Sequence, residues 1–453
     1  MSIKEIDRYI ESHLDESISE LSVLCRQPSV AAQNLGIEVC ANMVAESLQA
    51  RGFEVKILPT GGSPVVFGER KGSNNATLIV YDHYDVQPPE PLDLWESPPF
   101  ELTIRNGRIY ARGVADNKGN FVERLHAIDA ILETEGELPC NIKFIVEGEE
   151  EIGSVHLEPF IKEHREMLSG DICLWEVGGV DHTNTPIQMV GLRGICYVEL
   201  RVKTANQDVH SGTGGSIFPN AAWRLVWALS SLKDQHENIL LPDYYEDVVP
   251  PTDREKALLA QQPEMMAYYK EKYGLKHFLK GIDDELELAV EAVYQPTCTI
   301  CGLNSGYQGK GSKTVLPAEA SAKVDFRLVP NQTPEKVLEK LRAHLDSHGF
   351  EDVEIVNLGG NPPAKTDPNH PAVMLAVEAA RDVYEKPTRV IPMIGGSGPN
   401  YMFQAYLGVP IISSGAGDAE SGAHAPNESI SLDLYVKGAK HFARILKLMR
   451  DYK

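Results

Sequence analysis

Five short runs of this chain carry residue types that could do chemistry together. Asp82-His83-Tyr84-Asp85 follows the apolar run 76–81, and Gly113-Val114-Ala115-Asp116-Asn117-Lys118-Gly119 opens a predicted helix. Glu147-Gly148-Glu149-Glu150-Glu151 follows the apolar run 142–146, Glu176 follows the short apolar run 172–175, and Gly422-Ala423-His424-Ala425-Pro426-Asn427-Glu428 is a loop before the last helix. Taken singly, each has a plain reading: a surface His–Asp pair, a helix cap at Asp116, a solvated acidic face. Their common position counts against those readings. Acids gathered at the end of a buried strand repel one another unless a cation neutralises some of them, and one left without a cation can act as a base with a raised pKa. Two His and several carboxylates at strand ends supply the N/O donors of a two-metal hydrolytic site. If the strand before His83 continues through Asp85, the period of two places both side chains on one face. The carboxylate would then hold the imidazole tautomer and leave the other ring nitrogen to a metal.

The elements that must position these runs alternate. Helical apolar spacing over 2–26 and 36–51 gives way to strand-like runs at 53–58, 65–69 and 77–81, then a helix over 120–133 and strands at 142–146 and 172–175. This is an α/β pattern, whose sites form at strand ends. After Gly191 the order becomes strand 195–202, helix 220–232, strand 297–303, strand 320–329, helix 334–348 and strand 353–358. That β-α-β-β-α-β order is ferredoxin-like. Residues 236–295 read as a helical insertion within it. From Pro371 the first pattern resumes with a helix to 384, a strand at 389–393, a helix near 400–406, a strand at 409–413 and a closing helix from Leu432. The expected organisation is therefore a discontinuous α/β body, residues 1–190 and 360–453, with an inserted unit over 191–359 and a return hinge at Gly359-Gly360-Asn361-Pro362-Pro363.

Composition narrows the partners. The 453 residues carry 65 Asp+Glu against 43 Lys+Arg, a formal charge of −22, so neither a phosphate backbone nor an anionic membrane is an expected partner. The N-terminal run lacks an uninterrupted apolar core of the signal-peptide kind. Seven cysteines, an odd count in so long a chain, predict no disulfide framework and a reducing cytoplasmic location. The single Cys298-Thr-Ile-Cys301 lacks the second pair that a zinc site would need.

The runs DHYDVQP, RGVADNKG, EGEEEIGS, GLRG, DVHSG, FRLVPNQTPE and SGAHAPNE, in this order, resemble the M20 metallopeptidases, most nearly the branch of carnosinases and cytosolic non-specific dipeptidases. The resemblance implies an α/β dimetal aminopeptidase-like catalytic domain with an inserted ferredoxin-like α+β lid that also dimerises. It implies that His83, Asp116 and Glu176 hold one divalent metal and Asp116, Glu151 and His424 the other, with Asp116 bridging. The metals would be zinc or manganese, with cobalt able to substitute in vitro. Glu150 falls on the general base, Asp85 on the residue that orients the first His, and His210 on the lid His that reaches the partner subunit's site. Thr314, Arg327, His370 and Ser397 fall on substrate-contacting positions.

Two features depart from that branch. Three consecutive Glu permit the base and ligand to be Glu149 and Glu150 or Glu150 and Glu151; the family pair is followed by one residue and then Gly-Ser, which selects the second register. At Glu176 the carnosinase branch usually has Asp, whereas Glu is commoner in acylases and carboxypeptidases. The expected activity is thus dipeptide hydrolysis by a homodimer acting on a small peptide or N-acyl amino acid. Deacylation of N-acyl amino acids, or carboxypeptidase action, is the alternative. A non-catalytic interaction protein on the same fold is the remote one.

Overall fold

A computed structural model describes residues 3–452 of the chain. It divides into two compact units, one made of the residues up to Val190 with Thr366–Pro392 and the residues from Pro399, the other of Gly191–Lys365 with Met393–Gly398.

The first unit is built on a six-stranded sheet in the order Glu54–Leu58, Val65–Arg70, Asn141–Glu147, Thr77–His83, Ile172–Trp175, Ile411–Ser413. The last four run parallel. Asn141–Glu147 is buried along its whole length, as a central parallel strand with both faces covered must be, which is why it reads as an apolar run rather than an alternation. The helix Lys118–Glu135 is buried through most of its length and packs against Leu432–Met449. Gly136, in the left-handed region at φ 80°, ends the first of these helices, and the Ser431 side chain caps the second by accepting from the Leu434 N–H. Because Thr77–His83, Asn141–Glu147 and Ile172–Trp175 are parallel neighbours, their C-terminal ends share one edge of the sheet. His83, the Glu149–Glu151 run and Glu176 therefore emerge together.

The second unit is a four-stranded antiparallel sheet in the order Thr299–Ser305, Glu319–Leu328, Gly194–Lys203, Glu354–Asn361. Gly194–Lys203 alternates buried residues with half-buried and then exposed ones, the signature of a sheet with one covered face. The covering residues come from helices Ala221–Leu232 and Pro334–Ser347, whose Leu225, Leu229, Val337 and Leu341 join Val198, Leu200, Val324 and Phe326 in one core. The insertion is helical, with Asp253–Leu259, Met266–Tyr273 and Glu285–Tyr294, the first opened by a capping box between Thr252 and Glu255.

Several boundaries differ from the sequence reading. Gly359-Gly360-Asn361 is no hinge. It continues the strand Glu354–Asn361, and Gly360 lies so close to the neighbouring strand that a Cβ there would stand 2.4 Å from the Ile195 carbonyl oxygen. The crossing back to the first unit comes instead at Lys365 and Thr366, and Met393–Gly398 belongs with the second unit. The expected 2–26 helix, whose Ser2 lies outside the described residues, is two helices, Ile3–Ser12 and Leu14–Arg26. The strand at 389–393 is the shorter Arg389–Ile391 and pairs with Pro186–Met189 in a small separate sheet. The segment near 400–406 is a short α turn, Asn400–Met402, running into a π-helical turn, Phe403–Leu407.

Candidate metal centre and active site

Asp116 lies between two imidazoles. Its Oδ1 is 2.9 Å from His83 Nε2 and its Oδ2 is 3.0 Å from His424 Nε2. Glu176 Oε2 stands 3.7 Å from His83 Nε2, on one side, and Glu151 Oε2 stands 3.0 Å from His424 Nε2, on the other. Donor atoms of His83, Asp116 and Glu151 all fall within 4.8 Å of one another, a spacing able to hold a metal ion. Two of the carboxylate oxygens, Glu151 Oε1 and Glu176 Oε2, are buried without a hydrogen-bond partner. Such orphans are costly in an interior, and a divalent cation beside each would satisfy them. Two imidazoles with three carboxylates form the N/O donor set of zinc, manganese or cobalt, so the residues fit the group.

His424 reaches this position from an unusual backbone. Its φ of 66° lies in the left-handed region, uncommon for a residue with a Cβ, within a tight turn closed by the Ala425 N–H on the Gly422 carbonyl. Asp116, which the sequence allowed as a helix cap, is not one; the capping position of Lys118–Glu135 is Asn117, and both Asp116 oxygens face imidazoles.

The three consecutive Glu have separate surroundings. Glu149 accepts from the Ser63 N–H at 2.8 Å and the His156 N–H at 3.3 Å and lies 2.7 Å from His156 Nδ1, so its carboxylate binds a loop and a helix start. Glu151 faces His424. Glu150 is pushed up to about 7 by burial, with the nearby Asp116, Glu151 and Asp85 charges adding to the rise and His83 opposing it.

Asp85 touches both His83 and the turn that follows the neighbouring strand. The strand ends at His83, so the alternation does not extend to Asp85. His83 Nδ1 is nearest the Asp85 main-chain oxygen, at 3.0 Å, and 3.4 Å from its carboxylate. That carboxylate also accepts the main-chain N–H of Glu150 at 3.2 Å and of Glu151 at 3.0 Å, holding the 3-10 turn that presents both acids.

The ionisable groups of the centre shift one another. Burial disfavours an imidazolium at His83, yet Asp116 and Asp85 hold its pKa well above the usual value. Hydrogen bonding to Asp116 and Glu151 raises His424 to about 10. Against burial, the two imidazoles keep Asp116 below the usual carboxylate range. Burial pushes Glu176 well up and Glu147 up to about 8, the latter accepting from Tyr81 Oη at 2.6 Å and Ser154 Oγ at 2.8 Å. A bound metal would displace the protons of its ligands His83, His424 and Glu176.

Two groups of supporting residues were not singled out from the sequence. Glu428, buried, accepts from Arg112 at 2.7 Å and from the main-chain N–H groups of Gly113, Ala115 and Asp116 at 3.0, 2.8 and 3.0 Å. It thereby ties the His424 loop to the Asp116 loop. Asp82, beside His83, accepts from Asn117 at 2.7 Å and from the buried Arg124 at 2.5 Å. The available signal was a charged pair, Glu123-Arg124, set between Phe121-Val122 and Leu125.

In the second unit His210 is exposed and lies 3.3 Å from Thr314 Oγ1, and its Nδ1 accepts from the Gly212 N–H, capping a short turn. Arg327 donates to Ser397 Oγ at 2.9 Å and to Asp325 at 3.2 Å. His370, in the first unit, caps the helix Pro371–Ala380 through Nδ1.

A parallel sheet presenting such a donor cluster at its C-terminal edge defines a metallohydrolase-type body. Residues 79–448 match the profile of Peptidase family M20/M25/M40, and the chain belongs to that family. It is 31% identical to the Beta-Ala-His dipeptidase of Homo sapiens over 481 residues, covering 97% of this chain and 91% of that one. With the Cys-Gly metallodipeptidase dug1 of Schizosaccharomyces pombe it shares 28% identity over 466 residues, covering 98% and 97%. Among solved structures, the M20 family metallo-carboxypeptidase Sso-CP2 from Sulfolobus solfataricus superposes with a TM-score of 0.91 at 38% identity, covering 96% of this chain and 99% of that one.

Proposed function

We propose that this chain is a metal-dependent dipeptidase, acting as a homodimer on small free peptides. The observation that carries the reading is Asp116 set between His83 and His424, with Glu176 beside the first and Glu151 beside the second. In this reading His83, Asp116 and Glu176 hold one divalent metal and Asp116, Glu151 and His424 the other. Bound there, two zinc or manganese ions would polarise the scissile carbonyl and lower the pKa of the attacking water. Glu150, poised near neutrality, takes the proton from that water and passes it to the leaving amine nitrogen. Arg327, steadied by Ser397, pairs with a substrate carboxylate, with Thr314 and His370 as further contacts. His210 of the partner subunit donates to the developing oxyanion.

Dimer formation is supported by an exposed apolar face on the second unit: Trp223, Val226 and Trp227 on one helix, with Ile217 and Phe218 beside it. A cytoplasmic location is supported by seven cysteines that are all free. No helix among the described residues is long and apolar enough to cross a membrane.

The test is a substrate panel of free dipeptides against acetyl-, succinyl- and carbamoyl-amino acids, run with zinc or manganese and again after exhaustive chelation. Turnover of free dipeptides that vanishes with the metal is the expected result. Full activity after metal removal, verified by elemental analysis, would overturn the reading. The likeness to a metallo-carboxypeptidase favours a second reading, cleavage at the C-terminus of longer or N-blocked substrates. Preference for those members of the panel would establish it.

A further inference from the structure

Arg124 is fully buried, and its guanidinium gathers the ends of three adjacent strands. One terminal nitrogen donates to the Tyr81 carbonyl at 3.3 Å and the Asp82 carboxylate at 2.5 Å, at the end of Thr77–His83. The other donates to the carbonyls of Trp175 at 2.8 Å, Glu176 at 2.9 Å and Ser414 at 2.8 Å. Glu176 and Ser414 lie just past the last residues of Ile172–Trp175 and Ile411–Ser413, where a strand no longer supplies partners for its carbonyls. Burying a guanidinium costs several kcal/mol unless it is paired and fully used. Here the two terminal nitrogens of one planar fork reach five acceptors, which an ammonium could not span, and only the buried Nε lacks a partner.

Those acceptors are not spread evenly over the centre. Two directly precede His83 and one is the Glu176 carbonyl, and Asp82 also accepts from Asn117, next to the shared Asp116. The opposite side is held by other means: Asp85 fixes the Glu151 turn, and Glu428 fixes the His424 loop. Ser414 precedes that loop but lies ten residues before His424. We propose that Arg124 is a positioning residue for one metal position alone, the one formed by His83 and Glu176 with Asp116. The inference rests on the two-metal reading above.

Equilibrium dialysis against zinc chloride, and separately manganese chloride, followed by elemental analysis gives metal equivalents per chain for the wild type, Arg124→Met and Arg124→Lys. The wild type should bind two equivalents. Arg124→Met should keep one with unchanged affinity and hold the other at least about tenfold more weakly, the usual effect of removing a ligand's supporting partner. Arg124→Lys should fall between, because it keeps the charge and loses the fork; it also decides the matter if Arg124→Met does not fold. Equal weakening of both equivalents, or no change in either, would overturn the positioning role. A wild type that binds fewer than two equivalents would overturn the two-metal reading instead.

Discussion

The Glu149 carboxylate lies 2.7 Å from His156 Nδ1 and also accepts the main-chain N–H groups of Ser63 and His156, so the first of three consecutive acids is occupied in holding the local fold. That arrangement supports Glu150 as base and Glu151 as ligand, and it makes the three substitutions distinguishable. Glu150→Gln should keep its metal and lose about 10²- to 10⁴-fold or more in kcat. Glu151→Gln should lose metal. Glu149→Gln should leave metal content intact and act through stability. Metal analysis beside steady-state kinetics reads all three, and metal loss in Glu150→Gln would shift the assignment by one residue.

Glu428 and Arg112 form a buried pair in which the carboxylate also serves three main-chain donors. Removing one partner leaves the other charged and buried, so Glu428→Ala should cost about 3–5 kcal/mol in chemical denaturation. A loss under about 1 kcal/mol would mean the two loops are held by other contacts.

His441 is buried in the closing helix, its Nδ1 2.8 Å from Ser414 Oγ and its Nε2 2.9 Å from the Ala376 carbonyl. Burial, with Arg444 nearby, lowers its pKa to about 4. The unfolded chain, titrating near its ordinary value of about 6.5, therefore takes up the proton first as pH falls, and folding stability drops with it. From about pH 7 to about pH 5 this one group should remove about 2 kcal/mol. The difference in urea stability between wild type and His441→Gln should narrow by that amount over the same interval. A difference independent of pH would show that His441 does not titrate between the two states.

His210 is exposed and far along the chain from every proposed ligand. If it serves the partner's site, His210→Ala and Glu150→Gln homodimers should each be nearly inactive. Subunit exchange between them should restore activity toward about half the wild-type value per heterodimer, since one of its two sites then has both groups. Exchange verified by mass with no recovery, or a fully active monomer, would place His210 in its own chain or remove it from catalysis.

The elements and the ligand-bearing runs were legible because parallel strands buried on both faces must be continuously apolar, so acids at their ends stand out. Asn141–Glu147, entirely buried and followed by Glu149-Glu150-Glu151, is the plainest case. The order of runs likewise carried the family resemblance without any coordinates. Tertiary structure alone decided how the neighbours of those runs are used. That Asp85 holds the Glu150–Glu151 turn as well as lying beside the His83 imidazole depends on the strand stopping at His83. Whether Gly359-Gly360 bends or pairs depends on a close approach to Ile195, which a missing Cβ permits but does not dictate. The tasks of Glu428 and Arg124 depend on acceptors and donors about 300 residues away, Arg112 for the first and Ser414 for the second. Local periodicity records burial and spacing within an element, whereas contacts at that separation exist only once the chain has closed on itself.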